Sequence, residues 1–264
     1  MAANGRAVQT LDAEGCRRLA DALGDQPDTI IAGHALRQGL CSAYTVGLPD
    51  HPRAALVQTW VQPDEPLGFG ADPALVWELL QVAQGWTCVR VALDVAEPLG
   101  ATIARARGVG VRYLDDVVHV LPGPPAAYHD ARVRLLTPAD VALLEAAPPE
   151  LRLSGFPSVG ALLAEGAVAG AIVGGLVVAT ASTAALNARY AEVGVYTTAA
   201  YRRQGLSTAA AGLVCQAVRA TGRTPVWSAG DHNAASLRVA AKLGFVEVSR
   251  GRYAILERAA SLQV

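Results

Sequence analysis

A run from Ala191 to Thr208 holds the residue types that bind a phosphorylated ligand, in the order such a site needs. An apolar strand pattern over 189–196 leads into Arg202, Arg203, Gln204 and Gly205. Leu206, Ser207 and Thr208 follow, at the start of an Ala-rich amphipathic pattern. The first N–H groups of a helix lack partners within it, and the helix dipole favours an anion there. Glycine at 205 lets the backbone approach a ligand closely. Ser207 and Thr208 offer hydroxyl donors, and the arginines bring positive charge. A pyrophosphate suits this set, and an ordinary strand–helix turn with solvated arginines would look the same. A second run, Asp231 to Phe245, follows the next strand pattern. It sets Asn233 ahead of an amphipathic stretch that closes with Lys242, Leu243, Gly244 and Phe245.

Together and in this order, the two runs resemble the GNAT N-acetyltransferase family. Arg202, Gly205 and Ser207 match the family's acyl-CoA loop, with Ser where the family has Gly or Ala. Asn233, Ser236, Lys242, Gly244 and Phe245 match its later helix. The likeness is strong over 168–256 and weaker over 132–166. It implies that Arg202, Arg203, Gln204, Gly205, Leu206, Ser207 and Thr208 surround the CoA pyrophosphate. It also implies that the preceding strand splays from its neighbour, so that Val195, Tyr196 and Thr197 bind the pantetheine arm as an added strand would. Asn233 and Ser236 would lie beside that arm, and Asn233 is equally suited to be a helix N-cap.

Glu192 stands where some members of the family place a catalytic glutamate, which would take a proton from the amine nucleophile. Read without the family, it is an exposed strand residue in a salt bridge. Tyr190 and Tyr196 share its strand face, and Tyr190 is a candidate for lining an acceptor pocket. Many members carry a Tyr seven residues after the Asn, as acid for the departing thiolate. This chain has Ala240 there, so Tyr201 or Tyr253 replaces that donor or none does. The activity implied is transfer of an acetyl group from acetyl-CoA to a primary amine by direct attack in a ternary complex, with no metal. The acceptor would be a small-molecule or peptide amine. The alternative is a non-catalytic acyl-CoA-binding sensor or scaffold.

The elements that must position these residues follow from pattern and punctuation. Pro122, Gly123, Pro124 and Pro125 stop both helix and strand near the middle of a chain of 264 residues. They divide it into a half at 1–121, a linker at 122–131 and a half at 132–264. The second half reads as a strand at 132–136, helices at 137–147 and 158–164, and a hairpin at 167–184 around Gly174 and Gly175. It continues with a strand at 189–196, a helix at 202–221 and a strand at 225–228. A helix at 233–243 and strands at 245–249 and 252–256 complete it. The first half has the same rhythm: helices at 11–23, 29–38, 72–83 and 99–107, and strands at 42–48, 54–61, 88–93 and 111–120. Its tail, 101–111, can be laid beside 236–246. The expected architecture is therefore α/β, a mixed and mostly antiparallel sheet flanked by helices, in two tandem GNAT-like halves. The first half would be a degenerate copy: its counterpart of the CoA loop, near Gly68 to Pro73, has no arginine and carries Glu65 and Asp72, which repel a pyrophosphate.

Composition narrows the remaining classes. Hydrophobic residues make up 52% and charged residues 17%, enough apolar material for a packed core. The net charge of -1 provides no basic excess for nucleic acid and no polybasic membrane anchor. The apolar stretch 167–185 is broken by glycines and hydroxyl residues and reads as strands, not a membrane span. No apolar signal core opens the chain. Cys16, Cys41, Cys88 and Cys215 form no CxxC pair, and the five histidines have no metal spacing. A cytoplasmic protein with reduced thiols, monomeric or homodimeric, is the expectation. Trp60, Trp77, Trp86 and Trp227 are expected in the core.

Overall fold

The computed structural model describes residues 7–152 and 154–257. In chain order its elements are β1 (Val8–Thr10), α1 (Ala13–Leu23), α2 (Ile30–Gln38), β2 (Cys41–Leu48), β3 (His51–Thr59), β4 (Leu67–Phe69), α3 (Pro73–Leu80), β5 (Cys88–Val91), α4 (Leu93–Arg107) and β6 (Val111–Val120). The second half follows with β7 (Val133–Leu135), α5 (Val141–Glu145), α6 (Val159–Glu165), β8 (Val168–Val173), β9 (Leu176–Leu186), β10 (Tyr190–Thr197), α7 (Leu206–Ala220), β11 (Thr224–Gly230), α8 (Ala234–Leu243) and β12 (Val246–Leu256). The order strand, two helices, three strands, helix, strand, helix, strand occurs twice, so the halves are tandem copies of one design. The copies of the final helix end on left-handed glycines, Gly108 and Gly244, followed by strands starting at Val111 and Val246. The first copy has one more residue between cap and strand, which the alignment of 101–111 with 236–246 does not reveal.

The twelve strands among the described residues join one sheet, in the order β1-β2-β3-β4-β5-β12-β6-β11-β10-β9-β8-β7. Only β4–β5 and β10–β11 are parallel pairs. The centre of the sheet is a reciprocal exchange. β12, the last strand of the second half, lies between β5 and β6 of the first. β6, the last strand of the first half, lies between β12 and β11. Neither half completes its sheet without the other.

Helices cover both faces. Alternate residues of a strand point to opposite faces, and paired residues share one. Val193, Trp227 and Phe245 pack with Leu206, Val214 and Leu243 beneath α7 and α8. In the first half, Val89, Val91 and Ala254 pack with Leu79, Leu99 and Ile103 of α3 and α4. The opposite face carries α1 and α2 through Leu19, Leu36 and Val57, and α5 and α6 through Leu144, Leu162 and Val168. Helix α2 extends beyond its own half and packs on β9 and β10. There His34 lies 4.8 Å, centroid to centroid, from the ring of Phe156, and its Nε2 is 3.0 Å from the Gly155 carbonyl oxygen.

Several elements differ from the sequence reading for definite reasons. α7 begins at Leu206, not at 202, because Arg203 (φ 64°) and Gly205 (φ 83°) are left-handed and cannot lie in a right-handed helix. α4 begins at Leu93 and runs through Pro98, since Val95, Ala96, Leu99 and Ile103 all bury on one side of it and offset the lost backbone bond. β12 is one strand with an irregularity between Glu247 and Ser249, not two strands. β1 and β4 have three residues each, too few to show alternation. Trp86 and Trp227 are buried and Trp77 is half-buried, but Trp60 is 63% exposed. β3 ends at Thr59, which leaves Trp60 in the bend beyond the paired strands.

Candidate functional site

β10 and β11 are paired only at Tyr190–Thr224, Ala191–Pro225 and Glu192–Val226. Beyond that fork each keeps its outer partner, β10 with β9 to Thr197 and β11 with β6 to Gly230, while the two separate from each other. The result is a V-shaped gap with Glu192 at its apex. Thr198 N–H donates to the Val178 carbonyl of β9 at 3.0 Å. In an antiparallel ladder alternate residues bond the same neighbour, so Gly194 and Tyr196 direct their backbone groups to β9. Val195 and Thr197 direct theirs into the gap.

The open end of the gap leads to the loop that precedes α7. Tyr201 ends a short 3-10 turn and packs half-buried against the core beneath α7. Arg202 Nε donates to the Thr197 carbonyl at 3.1 Å, and Gln204 Oε1 accepts from Arg132 at 2.9 Å. Arg203 is the sole described non-glycine residue with positive φ, a conformation that costs about 1 kcal/mol or more. Leu206 and Thr208 are buried and anchor the first turn of α7, while Arg202, Arg203, Gln204 and Gly205 are exposed. No side chain caps α7, so its leading N–H groups face outward beside two guanidinium groups. That is the geometry of an anion site. The corresponding helix of the first half is arranged otherwise: the Asp72 carboxylate accepts from Ala74 N–H at the N-terminus of α3. β4 and β5 are paired at Leu67–Arg90, and side chains crowd the face beside them, since a Cβ on Gly68 would lie 2.9 Å from Val91 Cγ1.

Glu192 is 5% exposed. Its Oε1 accepts from Ser228 N–H at 2.8 Å and from Ser228 Oγ–H at 2.6 Å, while its buried Oε2 has no partner among the described residues. The carboxyl titrates at about 7. Burial raises it, the two Ser228 bonds pull it partly back, and nearby Asp116 raises it further. This replaces the picture of an exposed, salt-bridged strand residue. Glu192 lies on the strand face turned away from the α7 core, the face on which α2 packs from the other half, and no local pattern announces that.

Two cavities open on the α1/α2 face of the sheet. The larger, about 550 Å³, is lined by Ser228 and Gly230 of β11, Asp116 and Leu114 of β6, Arg90 of β5 and Tyr253 of β12, among others. Arg90 Nε and Asp116 Oδ2 pair at 2.6 Å, both nearly buried. Gly251 makes this possible, since a Cβ there would lie 2.6 Å from Arg90 Cζ. Burial, with Asp116 and Glu65 nearby, drives the Tyr253 phenol far above its ordinary range. The smaller cavity, about 250 Å³, is lined by Gly194, Val195 and Tyr196 of β10, Ala184 of β9, and His34 and Ala35 of α2, among others. Ile31 and Gln62 border both, so they are two lobes of one cleft.

Other sequence candidates fall outside the cleft. Asn233 caps α8, its Oδ1 accepting from Ser236 N–H at 3.2 Å. Ser236 Oγ accepts from the Trp227 indole N–H at 2.9 Å. Ala240 is buried against the α7 core. Tyr190 lies under the Arg189 guanidinium, 5.3 Å from its ring centre, and lines neither cavity. Ser228, Arg90, Asp116 and His34 were not singled out from the sequence. They carry no local signal, and three of the four belong to the first half. Among the described residues no three His, Cys, Asp or Glu side chains gather as a metal site, and no helix is long and apolar enough to cross a membrane. The four cysteines are free thiols.

The splayed parallel pair, the uncapped helix beyond it and the doubled topology are those of a tandem GNAT-like architecture. The GNAT acetyltransferase family model matches residues 151–255, and this C-terminal region belongs to that family. Solved structures extend the likeness of fold over most of the chain. A GCN5-related N-acetyltransferase-like protein from Streptococcus suis is 22% identical with a TM-score of 0.64, over 93% of this chain and 99% of that one. A GCN5-related N-acetyltransferase from Sphaerobacter thermophilus is 15% identical with a TM-score of 0.57, over 96% of each chain. A tandem GNAT protein from the clavulanic acid biosynthesis pathway is 16% identical with a TM-score of 0.57, over 97% of this chain and 99% of that one. No functionally curated protein matches the chain in sequence.

Proposed function

We propose that the chain is an acyl-CoA-dependent N-acyltransferase that moves an acetyl-type group from its thioester to a primary amine within a ternary complex. The observation that carries this reading is Glu192: a buried carboxylate at the fork of the gap, with one oxygen unpartnered, that titrates at about 7. A general base works best when its pKa lies near the operating pH. A sensor that only bound acyl-CoA would have no use for an unpartnered buried oxygen there.

In this reading the pyrophosphate sits on the N–H groups from Arg203 to Thr208, with Arg202 and Arg203 adding charge. The pantetheine arm fills the gap against the Val195 and Thr197 backbone. The thioester then lies at the fork. The amine comes from the 550 Å³ lobe on the opposite face and loses its proton to Glu192, directly or through a water. Val195 N–H stabilises the developing oxyanion, and holding amine and carbonyl together provides much of the rate. Tyr253, on the acceptor side, holds its proton too tightly to give it up. Tyr201 stands beside the loop, at the pyrophosphate end of the gap, away from a thiolate released at the fork. The reaction as drawn uses no metal.

The two halves, 1–121 and 132–264 joined by 122–131, would work as one catalytic unit. The second binds the donor, and the first supplies α2, β5 and β6 to the acceptor lobe without a donor site of its own. The test is release of free CoA from acetyl-CoA by the full chain across a panel of amines. Amine-dependent release supports the transferase. Tight acetyl-CoA binding with no release from any amine makes the chain a sensor.

A further inference from the structure

We infer that the smaller lobe is an acyl-chain pocket, and that the donor is a linear acyl-CoA longer than acetyl, of about four to eight carbons. This rests on the acyl-CoA reading above and deepens it.

Position comes first. The lobe is walled by Gly194, Val195 and Tyr196, the stretch of β10 that has just separated from β11. A thioester threaded through the gap emerges near the fork, close to Ser228 of the larger lobe and Gly194 of the smaller, and Ile31, which borders both lobes, is 36% exposed. The amine needs the lobe that holds Ser228 and the charged groups. The acyl tail then has the other.

Chemistry separates the two lobes in the same way. The larger contains Arg90, Arg112, Asp116 and Glu65. The smaller contains a single charged residue, Glu150, which is exposed at its rim. Three of its polar side chains are already engaged. Thr180 Oγ1 donates to the Leu151 carbonyl at 2.7 Å, and Thr59 Oγ1 accepts from Gln62 N–H at 3.2 Å. The His34 ring is held neutral by burial and donates to Gly155. The rest of the lining is mostly apolar, with Ile31, Ala35, Leu40, Val61, Ala184 and Ala185, alongside the side chains of Gln62, Ser154, Ser182 and Tyr196.

Small residues keep the space open. A Cβ on Gly194 would meet nothing closer than Ala184 Cβ, at 3.9 Å. Ala184 has no partner on β10, because Glu192 pairs with Ala185 and Val193 with Thr183. This irregularity turns the Ala184 carbonyl outward, to accept from Gly155 N–H at 2.9 Å. A volume of about 250 Å³ has room for on the order of eight non-hydrogen atoms at ~30 Å³ each. An acetyl group would place one methyl there.

The experiment titrates the full chain calorimetrically with CoA, acetyl-CoA, butyryl-CoA, hexanoyl-CoA and octanoyl-CoA. Each methylene that enters the pocket should tighten binding about fourfold, up to the length that fills it. Ala35→Leu, on the α2 wall, should remove that gain while leaving CoA affinity unchanged. Gly194→Val should do the same from the facing wall, at a backbone position any residue can adopt. Equal or weaker binding of hexanoyl-CoA relative to acetyl-CoA overturns the inference, with the transferase reading intact. So does a length dependence that both folded variants retain, which would assign the lobe to the acceptor. Absence of affinity for CoA itself overturns the transferase reading along with this one.

Discussion

Glu192→Gln separates a base from a structural carboxylate, because its effects on turnover and on stability have opposite signs. The carboxyl titrates at about 7 in the folded chain and near 4.5 when unfolded. Between those values the folded chain binds more protons than the unfolded chain, so stability falls as pH rises through that window and levels off above it. The gap in titration is worth about 3 kcal/mol. Glutamine keeps a carbonyl oxygen for the two Ser228 bonds and removes the charge. At pH 5 the variant should match the wild type closely. At pH 8.5 it should be the more stable protein by up to about 3 kcal/mol, a rise in melting temperature of roughly 6–10 °C at this chain length. Amine-dependent CoA release should fall by about 10² to 10⁴, with acetyl-CoA affinity nearly unchanged. Melts at both pH values, calorimetry and turnover assays read all of this. An equal stability difference at the two pH values would refute the buried, pH-titrating carboxylate. Wild-type turnover would refute the base.

Three further outcomes follow from the same geometry. Ser228→Ala removes one of the two bonds that favour the ionised form, so the rise of turnover with pH should move about one pH unit toward alkaline; an unmoved profile would take Ser228 out of the titration. Gly205→Asp sets a carboxylate against the anion site and should weaken acetyl-CoA at least about a hundredfold by calorimetry, whereas unchanged affinity would refute the loop assignment. A fragment of residues 132–264 lacks β6, the strand on which β11 and β12 both depend. Alone it should show no cooperative melt, and co-expression with 1–131 should restore one; a cooperative monomeric fragment would contradict the exchange of strands.

Much of the candidate site's local structure was legible because its residues are consecutive. The anion loop needs only consecutive residues: a strand, two arginines, a left-handed glycine and an uncapped helix. Asn233 as N-cap and Gly244 as left-handed C-cap are likewise fixed by single residues and their nearest neighbours. The helix start at Leu206 was not legible. A left-handed Arg203 is a cost that tertiary contacts such as Gln204 with Arg132 help to hold in place, and no propensity predicts it. Of the two readings of Glu192, the exposed and salt-bridged one is overturned by its burial and its bonds to Ser228. Its strand has packed on it a helix more than 150 residues away in the chain, reaching across the halves.

By itself the sequence determined the doubled rhythm of helices and strands, the loop of two arginines and a glycine that leads into α7, and the Asp72 cap on the matching helix of the first half. It did so because those features depend on local backbone preference and local charge. Only the tertiary structure decided that β6 and β12 trade places and that α2 roofs the other half's gap. It also decided that Glu192, Ser228, Arg90 and Asp116 meet beside one cleft. Strand order in a sheet and the packing of a helix on a distant strand are set by long-range burial, and the apolar residues that drive it look alike whichever half they serve.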